Sequence, residues 1–175
     1  MPEGLEMELD LPRILEVLHR NKVAYILIGG LAAVYHGSPF PTEDADITPE
    51  MGRQNLDKLA TALRELNARI RTDAEPGGLP FRCDGEALAA AETLNLTTDA
   101  GDLDVAFMPS GTGGYRDLHR DSAEVQLYGV NVRIASLGDV IRSKQAANRP
   151  KDQRMLPTLR EILAQRRGDG TAPNS

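Results

Sequence analysis

Apolar residues in this chain recur with two different periods, and the changes between them mark its elements. Asp10 followed by Leu11-Pro12 reads as a helix start, and Ile14, Leu15, Val17 and Leu18 give a helical stripe that runs to His19-Arg20. Ala24 to Ile28 is an uninterrupted apolar run, which suits a strand covered on both faces. Gly29-Gly30 ends that run, and Leu31 to His36 is a short helical stretch stopped by Gly37. Asp44 to Thr48 alternates polar and apolar residues and is closed by Pro49, so it is predicted to be a second strand. Leu56, Leu59, Ala60, Leu63 and Leu66 then repeat at helical spacing and predict an amphipathic helix over Asn55 to Leu66.

A short strand is expected at 68–71, a turn at Glu75 to Gly78 and a short helix at 85–91. Strands follow at Thr93 to Thr97 and Asp102 to Met108, then the loop Pro109 to Gly114 and a helical piece near Tyr115. Glu124 to Leu127 and Asn131 to Ile134 read as a hairpin. Ser136, with Asp139 three residues on, opens a helix from Leu137 to Ala147, and Pro150 opens a last one to about Arg166. Interspersed strands and helices predict an α/β (α+β) domain, a mixed sheet flanked by helices with a helical segment at the end. Nothing resembles an interdomain linker. The reading is a core over 1–135, a C-terminal helical segment of the same domain over 136–167, and a disordered tail over 168–175.

Composition narrows the classes. With 175 residues and 41% hydrophobic content the chain can bury a real core. The single cysteine, Cys83, has no intramolecular disulfide partner, and the acidic start MPEGLEMELD is unlike a signal peptide, so a cytoplasmic location is expected. The uncharged stretch from Val23 to Tyr35 is far shorter than the roughly 20 residues of a membrane helix. The net charge of -6 hides an asymmetry: Arg142 to Arg167 holds eight basic and two acidic residues, a net of +6, which leaves -12 for the remainder. That split suits a polyanion-facing segment beside an acidic body that holds cations, or simply a solvated helix face. Four Tyr, three Phe and no Trp argue against base-by-base stacking on a nucleic acid.

The candidate chemistry lies in two carboxylate pairs. Side chains two apart on a strand share a face, so Asp44 and Asp46 lie side by side while Ala45 and Ile47 point to the core. Carboxylates that close repel unless a cation joins them, and magnesium, with its hard oxygen preference and open positions for phosphate, suits them best. Alone, Asp-x-Asp serves equally at a turn or a helix cap. Gly29-Gly30, between strand and helix, would let backbone N–H groups approach a phosphate, although a plain turn uses such a pair as well. Asp102 and Asp104 form a second pair, and Asp104, deeper in its strand, would complete a three-carboxylate cluster if the two strands are neighbours. Lys144 shares a helical stripe with Leu137, Val140 and Ile141, so it needs an anionic partner, such as a triphosphate, or a route to water. Asp152, near the start of the last helix, suits the helix dipole or the same cleft.

Together these residues carry a resemblance. Gly29-Gly30, thirteen further residues and then Asp44-Ala45-Asp46-Ile47 resemble the signature of the DNA polymerase β-type nucleotidyltransferase superfamily. The fuller string GGLAAVYHG...TEDADI, with DLDVAF and SKQAANRPKD downstream, is similar to the AbiEii/MenT group of bacterial toxin nucleotidyltransferases. The resemblance spans roughly residues 24–157 and implies a minimal polymerase β-like core. It also implies transfer of a nucleoside monophosphate from an NTP, with two magnesium ions, to an acceptor hydroxyl, that of the tRNA 3′ end, in a toxin restrained by a cognate antitoxin. By matching position, Gly29 and Gly30 would hold nucleotide phosphates and Asp44 and Asp46 the magnesium. Asp104 would be the third carboxylate and base, Lys144 the triphosphate contact and Asp152 a support. Thr42 stands where the family often has a hydroxyl residue. Phe40 departs from the pattern, which commonly has Arg there; Arg149 and Lys151 are candidates to compensate. Other acceptors on the same fold would be a protein hydroxyl, giving AMPylation, or a small molecule such as an antibiotic. A nucleotide-binding module without turnover is the reading that Phe40 motivates.

Overall fold

The computed structural model describes residues 8–168, so the expected tail lies outside the described residues except for Gly168, which closes the last helix. The elements are α1 (Leu11–Arg20), β1 (Tyr25–Ile28), α2 (Gly29–Tyr35), β2 (Asp44–Pro49), α3 (Arg53–Glu65), β3 (Arg69–Ile70) and α4 (Gly85–Ala89), followed by β4 (Thr93–Thr98), β5 (Gly101–Ala106), α5 (Tyr115–Asp121), β6 (Ala123–Leu127), β7 (Val130–Ile134), α6 (Leu137–Ala147) and α7 (Pro150–Gly168).

The predicted α/β architecture is the one observed. Among the described residues seven strands form one mixed sheet in the order β3-β4-β5-β2-β1-β7-β6. At its centre β1 runs antiparallel to β2 and parallel to β7, and β2 runs parallel to β5. The parallel pair β2/β5 has the long crossover such a pairing requires, from 50 to 100, and α3, β3, α4 and β4 fill it. The core is continuous: Ile14, Leu15 and Leu18 of α1, Leu56, Leu59 and Leu63 of α3, and Ile26, Ile47, Leu103 and Val105 of the sheet all belong to it.

Local chemistry explains several element ends. The Asp10 carboxylate accepts the Arg13 backbone N–H at 3.2 Å and caps α1. Ser136 caps α6 by accepting the Asp139 N–H at 3.1 Å, whereas the Asp139 carboxylate pairs with Arg142 at 3.0 Å, so only half of the expected reciprocal box forms. One boundary differs in a way that matters. Helix α2 starts at Gly29, two residues before the predicted start, because Gly29 at φ +66° turns the chain directly from strand into helix. Strand β5 also begins one residue earlier and ends at Ala106, two residues before the predicted end, after which the chain bends away through Phe107 and Met108. At the far end of α7, Arg166 Nη2 donates to the His36 carbonyl at 2.7 Å and pins the helix to the end of α2.

Candidate functional site

Parallel pairing places Asp44 opposite Asp102 and Asp46 opposite Asp104, on neighbouring strands about 4.8 Å apart. Ala45, Ile47, Leu103 and Val105 occupy the other face and are fully buried, so the pleat forces all four carboxylates to one side. Asp44, Asp46 and Asp104 converge until one oxygen from each lies within 4.8 Å of the others. Asp102 stays outside this cluster with its side chain 40% exposed.

Burial and repulsion both mark the cluster. Burial first, then the charge of Asp44, pushes the Asp46 carboxyl up to about 6, although Lys151 and Lys144 pull the other way. Asp104 is pushed up to about 7, by burial first and then by Asp46 and Asp44. A cluster of three converging carboxylates, with Asp46 and Asp104 both pushed up, is short of positive charge, and hard oxygen donors with an open side fit magnesium.

The glycine pair has a steric reason. A Cβ on Gly29 would stand 2.8 Å from the Asp46 carboxyl carbon, and one on Gly30 would stand 2.7 Å from Thr42 Oγ1. Without side chains, the start of α2 can lie directly against Asp46 and Thr42. Thr42 Oγ1 in turn donates to the Asp44 carbonyl at 3.1 Å, which holds the chain leading into β2.

The carboxylates open into a cleft of about 850 Å³ between the sheet and the two C-terminal helices. Gly29, Gly30, Thr42, Asp44, Asp46, Asp104 and Lys144 all line it, as do Arg149, Lys151 and Arg154. Lys144 is as buried as its stripe suggested, and burial lowers its pKa, partly offset by Asp152, whose Oδ1 lies 3.6 Å from its Nζ. Asp152 has no exposed surface and is not among the cleft-lining residues; it also accepts Arg149 Nε at 2.7 Å. Burial alone would raise the Asp152 pKa, but the hydrogen bonds from Arg149 prevail and hold it low. Its place is behind Lys144 and Arg149, fixing them, rather than in contact with anything in the cleft. Phe40 is half-buried and contributes no charge.

Sequence reasoning missed Arg71. Its guanidinium reaches over β4, placing Nη2 3.0 Å from Asp104 Oδ1 and Nη1 3.2 Å from Asp102 Oδ2. Only its position directly after a short edge strand hinted at this, and a two-residue strand has no periodicity to show which way a side chain points.

No protein-family model and no curated protein matches the sequence. Among solved structures the chain is similar to the lincosamide antibiotic adenylyltransferase LnuA in its lincomycin-bound form, at 18% identity and a TM-score of 0.58, covering 87% of this chain and 96% of that one. It is also similar to the antibiotic-resistance factor ANT(2'')-Ia, at 14% identity and a TM-score of 0.51, covering 91% of this chain and 90% of that one. At these identities the likeness concerns the fold alone, which in this chain is a seven-stranded mixed sheet flanked by helices.

Proposed function

We propose that this protein transfers a nucleoside monophosphate from an NTP to an acceptor hydroxyl, with magnesium held by Asp44, Asp46 and Asp104. One observation carries the reading: three convergent carboxylates on adjacent strands face a wall of cations, Lys144, Arg149, Lys151 and Arg154, across one cleft. Carboxylates for metal and cations for phosphate, a few side chains apart, are what a nucleotide with its divalent ion requires. Bound magnesium would supply charge neutralisation at the transferring phosphate. The chain's own part is positional. Gly29 and Gly30 present backbone beside the carboxylates, Lys144 faces the triphosphate, and Asp152 keeps Lys144 and Arg149 in place. The acceptor oxygen bonds to the α-phosphorus, the bond to the bridging oxygen breaks, pyrophosphate leaves, and Asp104 takes the hydroxyl proton.

For the acceptor, the similarity to AbiEii/MenT toxins favours the 3′ end of tRNA, in a toxin paired with an antitoxin protein. The outward-facing Lys151, Arg154, Arg160 and Arg167 support an RNA contact. A second reading, a small hydroxylated acceptor, is favoured by the uncharged side of the cleft, where Thr93, Asn95, Ala106, Met108 and Pro109 offer hydrogen bonds and apolar surface only. It is also in keeping with LnuA and ANT(2'')-Ia.

The test incubates the purified protein with each α-labelled NTP in turn, together with total RNA, a protein extract or a panel of hydroxylated antibiotics. Label should move to one acceptor class in the presence of magnesium, and Asp46→Ala should abolish it and relieve any growth arrest on expression. NTP binding without transfer to any acceptor would replace the enzyme reading with that of a binding module. Undiminished transfer by Asp46→Ala would remove the metal assignment.

A further inference from the structure

Nucleotidyl transfer as proposed does not call for a cation on the third carboxylate, yet one is there. Among the described residues, Asp104 alone of the cluster has a salt bridge: Arg71 Nη2 lies 3.0 Å from its Oδ1. The same guanidinium pairs with Asp102 Oδ2 at 3.2 Å and donates to the Leu96 carbonyl at 2.9 Å, while the Arg71 backbone N–H donates to the Asn95 carbonyl at 2.9 Å. Arg71 is thus held at four points by β4 and β5, and its side chain is only 26% exposed.

The Arg71–Asp102 contact by itself would be an ordinary half-exposed ion pair that contributes little. The bond to Asp104 differs in two respects. Asp104 has a side chain only 18% exposed, so the pairing is shielded from water. The carboxyl torsion of an aspartate is also broad when nothing holds it, and a guanidinium on one oxygen removes that freedom. With Oδ1 paired to Arg71, Oδ2 is the Asp104 oxygen free of the guanidinium.

We propose that Arg71 is a positioning residue for the transfer reaction: by taking Oδ1 of Asp104 it fixes that carboxylate as a one-oxygen ligand and aims the other oxygen at Asp44 and Asp46. The inference rests on the transfer reading above. It has a signature that a purely structural arginine lacks, because the guanidinium acts on the site in two opposing ways. Its positive charge disfavours a divalent cation nearby, while its hydrogen bond orients the ligand that the reaction needs. Removing it should therefore leave metal binding as tight as before, or tighter, and slow the chemistry.

The test compares the full chain with its Arg71→Gln and Arg71→Lys variants, using Mn2+ as the metal probe in titration calorimetry and, as the turnover measure, pyrophosphate release with whichever acceptor class takes the label in the NTP experiment above. Arg71→Gln should bind Mn2+ with an unchanged or lower Kd and keep its KM for NTP, while kcat falls about 10- to 100-fold. Arg71→Lys, which restores the charge and one donor but not the fork, should recover part of kcat. An unchanged kcat in Arg71→Gln overturns the inference and leaves the transfer reading intact. So does a parallel loss of Mn2+ binding, Tm and kcat that lysine does not repair, which would mark a structural role. A wild-type chain that neither binds Mn2+ nor releases pyrophosphate overturns the transfer reading, and the role of Arg71 with it.

Discussion

Asp46 and Asp104 are held in the folded chain at about 6 and about 7, both above the 3.8 of a free aspartate. Between about pH 4 and pH 7 the folded state therefore binds more protons than the unfolded one, so stability without metal falls as pH rises through that window and stays low above it. A divalent ion should reverse this only where the carboxylates are ionised. Tm measured in EDTA is thus expected to decline from pH 5 to pH 8, and added magnesium to raise Tm more at pH 8 than at pH 5; a magnesium effect independent of pH would contradict the assigned cluster. The same repulsion predicts a divergence in one variant. Asp46→Asn removes a charge that its neighbours oppose, so it should raise the metal-free Tm at pH 8, by about 2–4 °C for each kcal/mol of strain relieved, while abolishing transfer. A variant with lowered Tm and retained transfer would be the opposite result.

Three joints between elements hold this constellation, and they were legible in the sequence to different degrees. The β2/β5 joint was readable because Asp44-Ala45-Asp46-Ile47 and Asp102-Leu103-Asp104-Val105 each state their own facing by alternation, and only the strands' adjacency had to be supplied. The glycine pair was noticed, but its tight fit against Asp46 and Thr42 depends on how α2 crosses β2, which no local pattern records. Gly30→Ala tests that fit: its methyl would meet Thr42 Oγ1, so the start of α2 must shift, and transfer should fall more than Tm does. The α6/α7 joint was half legible. Helical spacing put Lys144 on a buried stripe, but its pairing with Asp152 needs the left-handed turn at Asn148, φ 51°, that folds α7 back on α6. Asp152→Asn leaves Lys144 buried without its counter-ion, a change that costs about 3–5 kcal/mol and should lower Tm by about 10 °C. Lys144→Ala leaves Asp152 with Arg149, so in calorimetry it should weaken NTP binding with a smaller fall in Tm. Equal Tm losses in the two variants would show that Lys144 serves the joint alone.

Across the whole molecule the separation of charge decides which acceptor can approach. The stretch from Arg142 to Arg167 carries +6 against -12 elsewhere, but much of that charge is engaged internally. Arg142 pairs with Asp117 and Asp139, Lys144 and Arg149 share Asp152, and Arg166 bonds to His36. Lys151, Arg154, Arg160 and Arg167 are left facing solvent, the first two lining the cleft. Four available cations bound the electrostatic attraction of a single-stranded RNA end: at saturating NTP, log(kcat/KM) for tRNA should fall with log salt at a slope no steeper than about -3. Arg160 and Arg167 lie outside the cleft lining, so changing both to serine should flatten that slope by about 1 to 2 while leaving NTP binding alone. A small uncharged acceptor seated on Thr93, Asn95 and Met108 would give a kcat/KM that barely responds to salt and is indifferent to both substitutions. The tRNA reading therefore requires a salt slope that depends on Arg160 and Arg167, and a flat response in the wild-type chain would assign the cleft to the small acceptor.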